Sequence, residues 1–112
     1  MSAPYSKETA EMIRAIREHS GMNLAEISEV AKGGADAGFP GFIYTSDCVK
    51  FYREHHDKIW DMLGDDAEEM GTTPIKMIGD FNRADMATTH DGLANLLAWY
   101  ALERAAQDFT NL

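Results

Sequence analysis

The chain is 112 residues long and 45% hydrophobic, with a formal net charge of −9 from 19 acids and 10 bases. That length holds one domain with one core, and that hydrophobic fraction excludes global disorder. The acidity opposes direct nucleic-acid binding, where Lys and Arg must replace phosphate counterions, and favours attraction to a basic partner.

The N-terminal run MSAPYSKETAEMIRAI has no apolar stretch of signal-peptide length, and nothing in the chain approaches the ~20 apolar residues that span a membrane. Pro4 and Ser6 precede an amphipathic segment with Met12, Ile13 and Ile16 on one face and Glu11, Arg14 and Arg17 on the others. The helix should end near Ser20-Gly21, where glycine takes the left-handed cap. Asn23 is then placed to cap a short helix with Leu24, Ile27, Val30 and Ala31 inward, stopped by Gly33-Gly34.

From residue 33 to residue 41 there are four glycines and a proline, interleaved with the aromatic cluster Phe39, Phe42 and Tyr44. Phe42 to Thr45 is strand-like in composition but has no partner strand, so it reads as extended loop closing the open end of a bundle. The competing reading of Phe39, Phe42 and Tyr44 is an exposed aromatic anchor for a partner. Ser46 or Asp47 is expected to cap a third helix with Val49, Tyr52, Ile59, Trp60 and Leu63 inward, pausing at Gly64. Asp65 to Met70 adds one or two turns. Thr73-Pro74 is a cap followed by proline at the first helical position, opening a short helix over 75–78. Gly79 to Thr89 reads as a polar connection. Thr88 or Thr89 caps the last helix, about 91–108, whose Leu93, Leu96, Leu97, Trp99, Tyr100, Leu102 and Phe109 cover nearly all sides. A helix of that kind is surrounded by others, which places it at the centre of an all-α bundle of about four to six helices.

Residues 54–69 hold seven acids and one lysine, a net −6. Glu54, Asp57, Asp61, Asp65 and Glu68 recur at three- and four-residue steps. On a helix running through Gly64 they form one stripe about 21 Å long. Together with Asp66 and Glu69 they are the candidate contact surface for a positively charged groove on a partner, against the plainer reading of a solvated face.

Other chemistry is weakly signalled. His55-His56-Asp57 and His90-Asp91, with His19 and Asp108, can be arranged in the order of a metal-dependent phosphohydrolase using His56, Asp57 and His90. Adjacent histidines point about 100° apart on a helix, however, and His56 between Tyr52 and Ile59 reads as a core-edge residue. Residues 65–69 lack the alternating ligands and central glycine of a calcium loop. Cys48 is the only cysteine, so no intrachain disulfide can form and the chain reads as intracellular. It sits near a helix start but reads as a small core residue rather than a nucleophile. No phosphate loop, nucleophile elbow or dinucleotide fingerprint occurs. The opening IRAIREHSGMNLAEISEVA has the rhythm of a helix-turn-helix, but DAGFPGFIY stands where the reading helix would follow.

The glycine-aromatic run from Gly33 to Gly41, followed by Ile43-Tyr44-Thr45 and Asp47, resembles a small uncharacterised family common in bacteriophages and mobile elements. Phe51, Ile59, Asp66-Ala67-Glu68 with Gly71, and Leu97-Ala98-Trp99-Tyr100-Ala101-Leu102-Glu103 with Ala105-Ala106 share the resemblance, which covers about 33–108. It divides the single domain 1–112 into an N-terminal helical pair, 1–32, and a family-like core. The resemblance implies a phage setting and intracellular action in a bacterial host. In that setting small acidic proteins bind host defence complexes, anti-CRISPR inhibitors among them. The reading is therefore a non-enzymatic protein with no cofactor and no metal. Its partner is a host protein or ribonucleoprotein complex with a basic surface.

Overall fold

The computed structural model describes residues 6–32, 39–81 and 90–110, and within them the chain forms six helices and no strand. These are α1 (Lys7–Ser20), α2 (Leu24–Ala31), α3 (Thr45–Glu54), α4 (His56–Glu69), α5 (Pro74–Phe81) and α6 (His90–Thr110). The all-α architecture expected from the sequence is the one found. The proposed stops and caps at Gly33, Gly34, Thr88 and Thr89 lie outside the described residues.

Local chemistry sets the ends of the first two helices. The Ser6 hydroxyl accepts the Thr9 N–H at 3.1 Å, and Gly21 ends α1 at φ 75° with its N–H on the Arg17 carbonyl at 2.9 Å. Asn23 and Glu26 then form a reciprocal capping box, each side chain accepting the other's backbone N–H, at 2.9 and 3.2 Å. Ile27 and Val30 are buried as expected, whereas Leu24 is 40% exposed. As the first residue of α2, Leu24 lies before the turn that meets the core.

Helix α6 is the axis of the domain, with α1, α2, α3 and α4 packed against it. Its most buried positions include five alanines, Ala94, Ala98, Ala101, Ala105 and Ala106, alongside Leu97 and Leu102. The small side chains let surrounding helices approach closely, while Leu93, Leu96, Trp99 and Tyr100 remain partly exposed. Helix α5 packs chiefly on α4. Thr73 opens it by accepting the Lys76 N–H at 3.3 Å, with Pro74 at the first helical position. The helix continues through Gly79 to Phe81, further than the sequence suggested.

The third predicted helix is two helices. The break falls at His55, with φ −124° and ψ 23°, and not at Gly64, which lies inside α4. The His55 ring rests on Phe51 at 4.8 Å. Nor do Ser46 or Asp47 cap α3. Tyr44 occupies the cap with no side-chain bond, and both residues belong to the first turn, where Asp47 still faces the positive end of the helix dipole.

The loop before α3 folds inward. Phe42 is 2% exposed, and its ring meets His19 at 5.4 Å, Phe51 at 5.1 Å and Trp99 at 5.9 Å, tying together α1, α3 and α6. The turn is held by Gly41 at φ +78°, whose carbonyl accepts a bond from His19 Nε2 at 2.8 Å. A Cβ at Gly41 would lie 2.9 Å from His19 Cδ2, whereas one at Gly64 would meet nothing within 4 Å. Gly41→Ala is therefore expected to lower stability by about 2 kcal/mol through left-handed strain and the clash. Gly64→Ala should raise it by about 0.5–1 kcal/mol, as for a glycine inside a helix with open space for the added methyl. Urea unfolding of the two variants checks the opposite signs.

Candidate functional site

The acidic residues singled out in the sequence separate into two groups. Glu54, at the end of α3, and Asp57, Asp61, Asp65, Glu68 and Glu69, on α4, are exposed. The helix is continuous through Gly64, so Asp57 to Glu68 forms one row about 17 Å long, with Glu54 set apart by the break at His55. Helix α1 extends this face in a way the α4 pattern alone could not indicate. The Glu8 carboxyl lies within hydrogen-bonding reach of Asp65. That contact, then desolvation and the charges of Asp65, Asp61 and Glu11, raises the Glu8 pKa above its ordinary 4.5. Like charges thus face one another across the α1–α4 seam. The spacing of Glu8 and Glu11 on α1 is a helical signal, but which helix they would face is tertiary information.

Asp66 does not belong to that surface. Its side chain is only 14% exposed and accepts bonds from Tyr100 Oη and from Arg104 Nε, the latter at 2.9 and 3.2 Å. Arg104 also donates through Nη1 to Asp108, one turn further along α6. The second Asp108 oxygen accepts from Thr9 Oγ1 at 2.6 Å, and Thr9 accepts from Ser6 at 3.1 Å. This chain of bonds joins α1, α4 and α6. Burial alone would disfavour the Arg104 charge, but Asp66 and Asp108 outweigh it and hold the guanidinium charged. Burial, then the bond to Asp66, raises the Tyr100 phenol above its usual range. The four-residue spacing of Arg104 and Asp108 was visible in the sequence, but their convergence with Asp66 was not.

The aromatic candidates divide as well. Phe39 and Phe42 are buried core, while Tyr44 is 68% exposed and stands beside the exposed Ile43. Of the three, only Tyr44 is exposed.

The histidines and the cysteine occupy separate places. His56 is exposed rather than at the core edge, with Nδ1 3.1 Å from the Asp57 carboxylate and its ring 5.2 Å from Tyr52. It starts α4 just after the break, so the inward stripe that a continuous helix would have given it is lost. His55 is half-buried, and desolvation, then Lys58, lowers its pKa. His90 begins α6 and is exposed. Among the described residues, no group of three or more His, Cys, Asp and Glu side chains is placed to hold a metal ion. Cys48 is fully buried, with its thiol donating to the Phe42 carbonyl at 3.7 Å. Burial, then nearby Asp47, pushes the thiol up to about 11, so it is uncharged at neutral pH.

A second surface was not anticipated. Between the end of α4, α5 and the outer side of α6 lies an open groove of about 670 Å³. Met70, Met77, Leu96 and Trp99 supply its apolar lining, and Glu69, Asp80 and Glu103 contribute carboxylates. Burial raises the Glu103 pKa.

Over residues 6–112 the chain matches the family described as Domain of unknown function (DUF7222). The match takes in the N-terminal helical pair that the resemblance over 33–108 left aside. No curated protein and no solved structure matches the chain. No helix among the described residues is long and apolar enough to cross a membrane.

Proposed function

Because the chain belongs to the DUF7222 family, whose description assigns no activity, we propose a function from its surface: a non-enzymatic binding protein whose acidic α1–α4 face engages a basic groove. The partner is a host protein or ribonucleoprotein complex in the bacterial cytoplasm. In the phage or mobile-element setting suggested by the sequence resemblance, this binding serves to inhibit a host defence system, as an anti-CRISPR protein does.

The observation that supports this reading is the opposition of Glu8 to Asp65, reinforced by Asp61 and Glu11. A solvated face that only confers solubility gains nothing from bringing carboxylates within hydrogen-bonding reach across two helices. The repulsion between them, small at such exposed positions, is relieved when a cation arrives. The clustered charge also raises the local negative potential that steers a basic partner, over a range of about 8–10 Å at ordinary ionic strength. Excess acid disfavours nucleic acid itself as the ligand.

The test is affinity capture from host lysate across a salt series. The wild-type chain should retain a defined complex that weakens steadily as salt rises. Reversing Asp57, Asp61 and Asp65 to Lys should reduce its capture at least about tenfold. All three side chains are exposed, so the helical circular dichroism should be unchanged. Capture that is equally strong with the triple variant would remove the acidic face from the mechanism.

A further inference from the structure

Among the described residues, α6 is apolar on more sides than the neighbouring helices cover, and this leaves the groove between α5 and α6. Helices α1 to α4 pack against its inner faces, and α5 leans on α4, leaving Leu96 and Trp99 along an open channel. A bundle ordinarily fills such a channel with the apolar stripe of another helix. Met70, which is 71% exposed, gives the lining an adaptable side chain suited to a helical side-chain stripe, and Met77, 5% exposed, lies at the floor beneath it.

The charges around the groove specify the occupant. Glu69, Asp80 and Glu103 contribute three carboxylates, and none of them has a cationic partner among the described residues. The one arginine in the lining, Arg104, is already held by Asp66 and Asp108. Tyr100 is likewise engaged with Asp66, so these polar groups serve the fold first and are poorly placed to select a small polar ligand. What remains is an apolar floor beneath an unneutralised acidic rim. The geometry points to this groove as the docking site for an amphipathic helix of a partner, its leucine-like stripe on Met70, Met77, Leu96 and Trp99 and its lysines or arginines on Glu69, Asp80 and Glu103. The inference rests on the chain being a binding protein and identifies the partner element it grips. It uses a surface distinct from the exposed row Asp57, Asp61 and Asp65.

The probe is a three-turn synthetic helix with leucines on one face and lysines on the other. Two controls accompany it: the same peptide with glutamate for lysine, and a lysine-leucine peptide of equal composition with its pattern scrambled. In a Trp60→Phe background, Trp99 is the only tryptophan and reports from the groove. The basic helix should shift Trp99 emission and bind in the micromolar range, while both controls bind at least about tenfold more weakly. Glu69→Lys with Glu103→Lys, both at exposed positions, should weaken the basic helix at least about tenfold and admit the acidic one. Met70→Glu should weaken every peptide. The Asp57, Asp61 and Asp65 reversal should still bind the basic helix, which separates failure of the groove from failure of the acidic face. Equal binding of the scrambled peptide, no effect of the Glu69 and Glu103 reversals, or no binding of the basic helix overturns the assignment. Concentration-dependent dimerisation abolished by Met70→Glu also overturns it, by making a second copy of the chain the occupant.

Discussion

Replacing Arg104 by methionine is expected to cost about 3 kcal/mol of folding stability, a large share of what a domain of this size possesses. Arg104 is 29% exposed and holds Asp66, 14% exposed, and Asp108, 28% exposed, in one network. Methionine keeps the aliphatic stem but leaves two partly desolvated carboxylates facing each other with no cation. That uncompensated charge, more than the loss of attraction, produces the effect. Changing Asp66 to Asn in the same chain should therefore recover part of the loss, giving a coupling of about 1 kcal/mol or more in a double-mutant cycle. Urea denaturation at neutral pH supplies the numbers. A loss below about 1 kcal/mol would place the trio among surface pairs of little consequence.

Phe51→Ala should be costlier still, about 3–5 kcal/mol, as for other buried aromatic truncations. Phe51 is completely buried, and its ring is 5.1 Å from Phe42, 5.1 Å from His19 and 4.8 Å from His55. It supports the loop, the end of α1 and the α3–α4 break at once, so the cavity cannot collapse without moving all three. Phe51→Leu should lose less, since it retains much of the volume. Because Gly41 acts on the same cluster through His19, the combined Phe51→Ala and Gly41→Ala loss should fall short of the sum of the single losses. Additive losses would mean that the loop and the ring cluster are independent.

These two sites also show what the sequence could and could not disclose. Backbone-local chemistry was readable: Ser6 before α1, the left-handed Gly21, Asn23 before α2, Thr73 followed by Pro74. Each needs only neighbours in the chain. The central position of α6 followed from its apolar residues, although its closest packing lies along alanines, which a search for large side chains overlooks. The break at His55 carries no glycine or proline to mark it, while Gly64 marks a break that α4 does not make. The misplaced break also misassigned His56, because an inward stripe holds only while the helix phase is unbroken. The candidate surface was legible as a row on α4 but not as a two-helix face, since nothing local brings Glu8 to Asp65. Asp66 shares the spacing and composition of its acidic neighbours. Only its meeting with Tyr100 and Arg104, more than thirty residues away, makes it structural.

The closeness of Glu8 and Asp65 gives the protein a proton balance of its own. In the folded chain Glu8 holds its proton above the ordinary 4.5. Its contribution to stability is therefore fully present below that value and fades as pH rises through the raised one. A cation seated between the two carboxyls acts in the opposite direction, drawing the Glu8 pKa down and expelling the proton. Association with a basic surface should thus release protons to the solvent in mildly acidic solution and tighten as pH rises through that window. In calorimetry, the apparent heat would then depend on the buffer's ionisation enthalpy. The seam between α1 and α4 would in that way report the partner's charge as a count of protons.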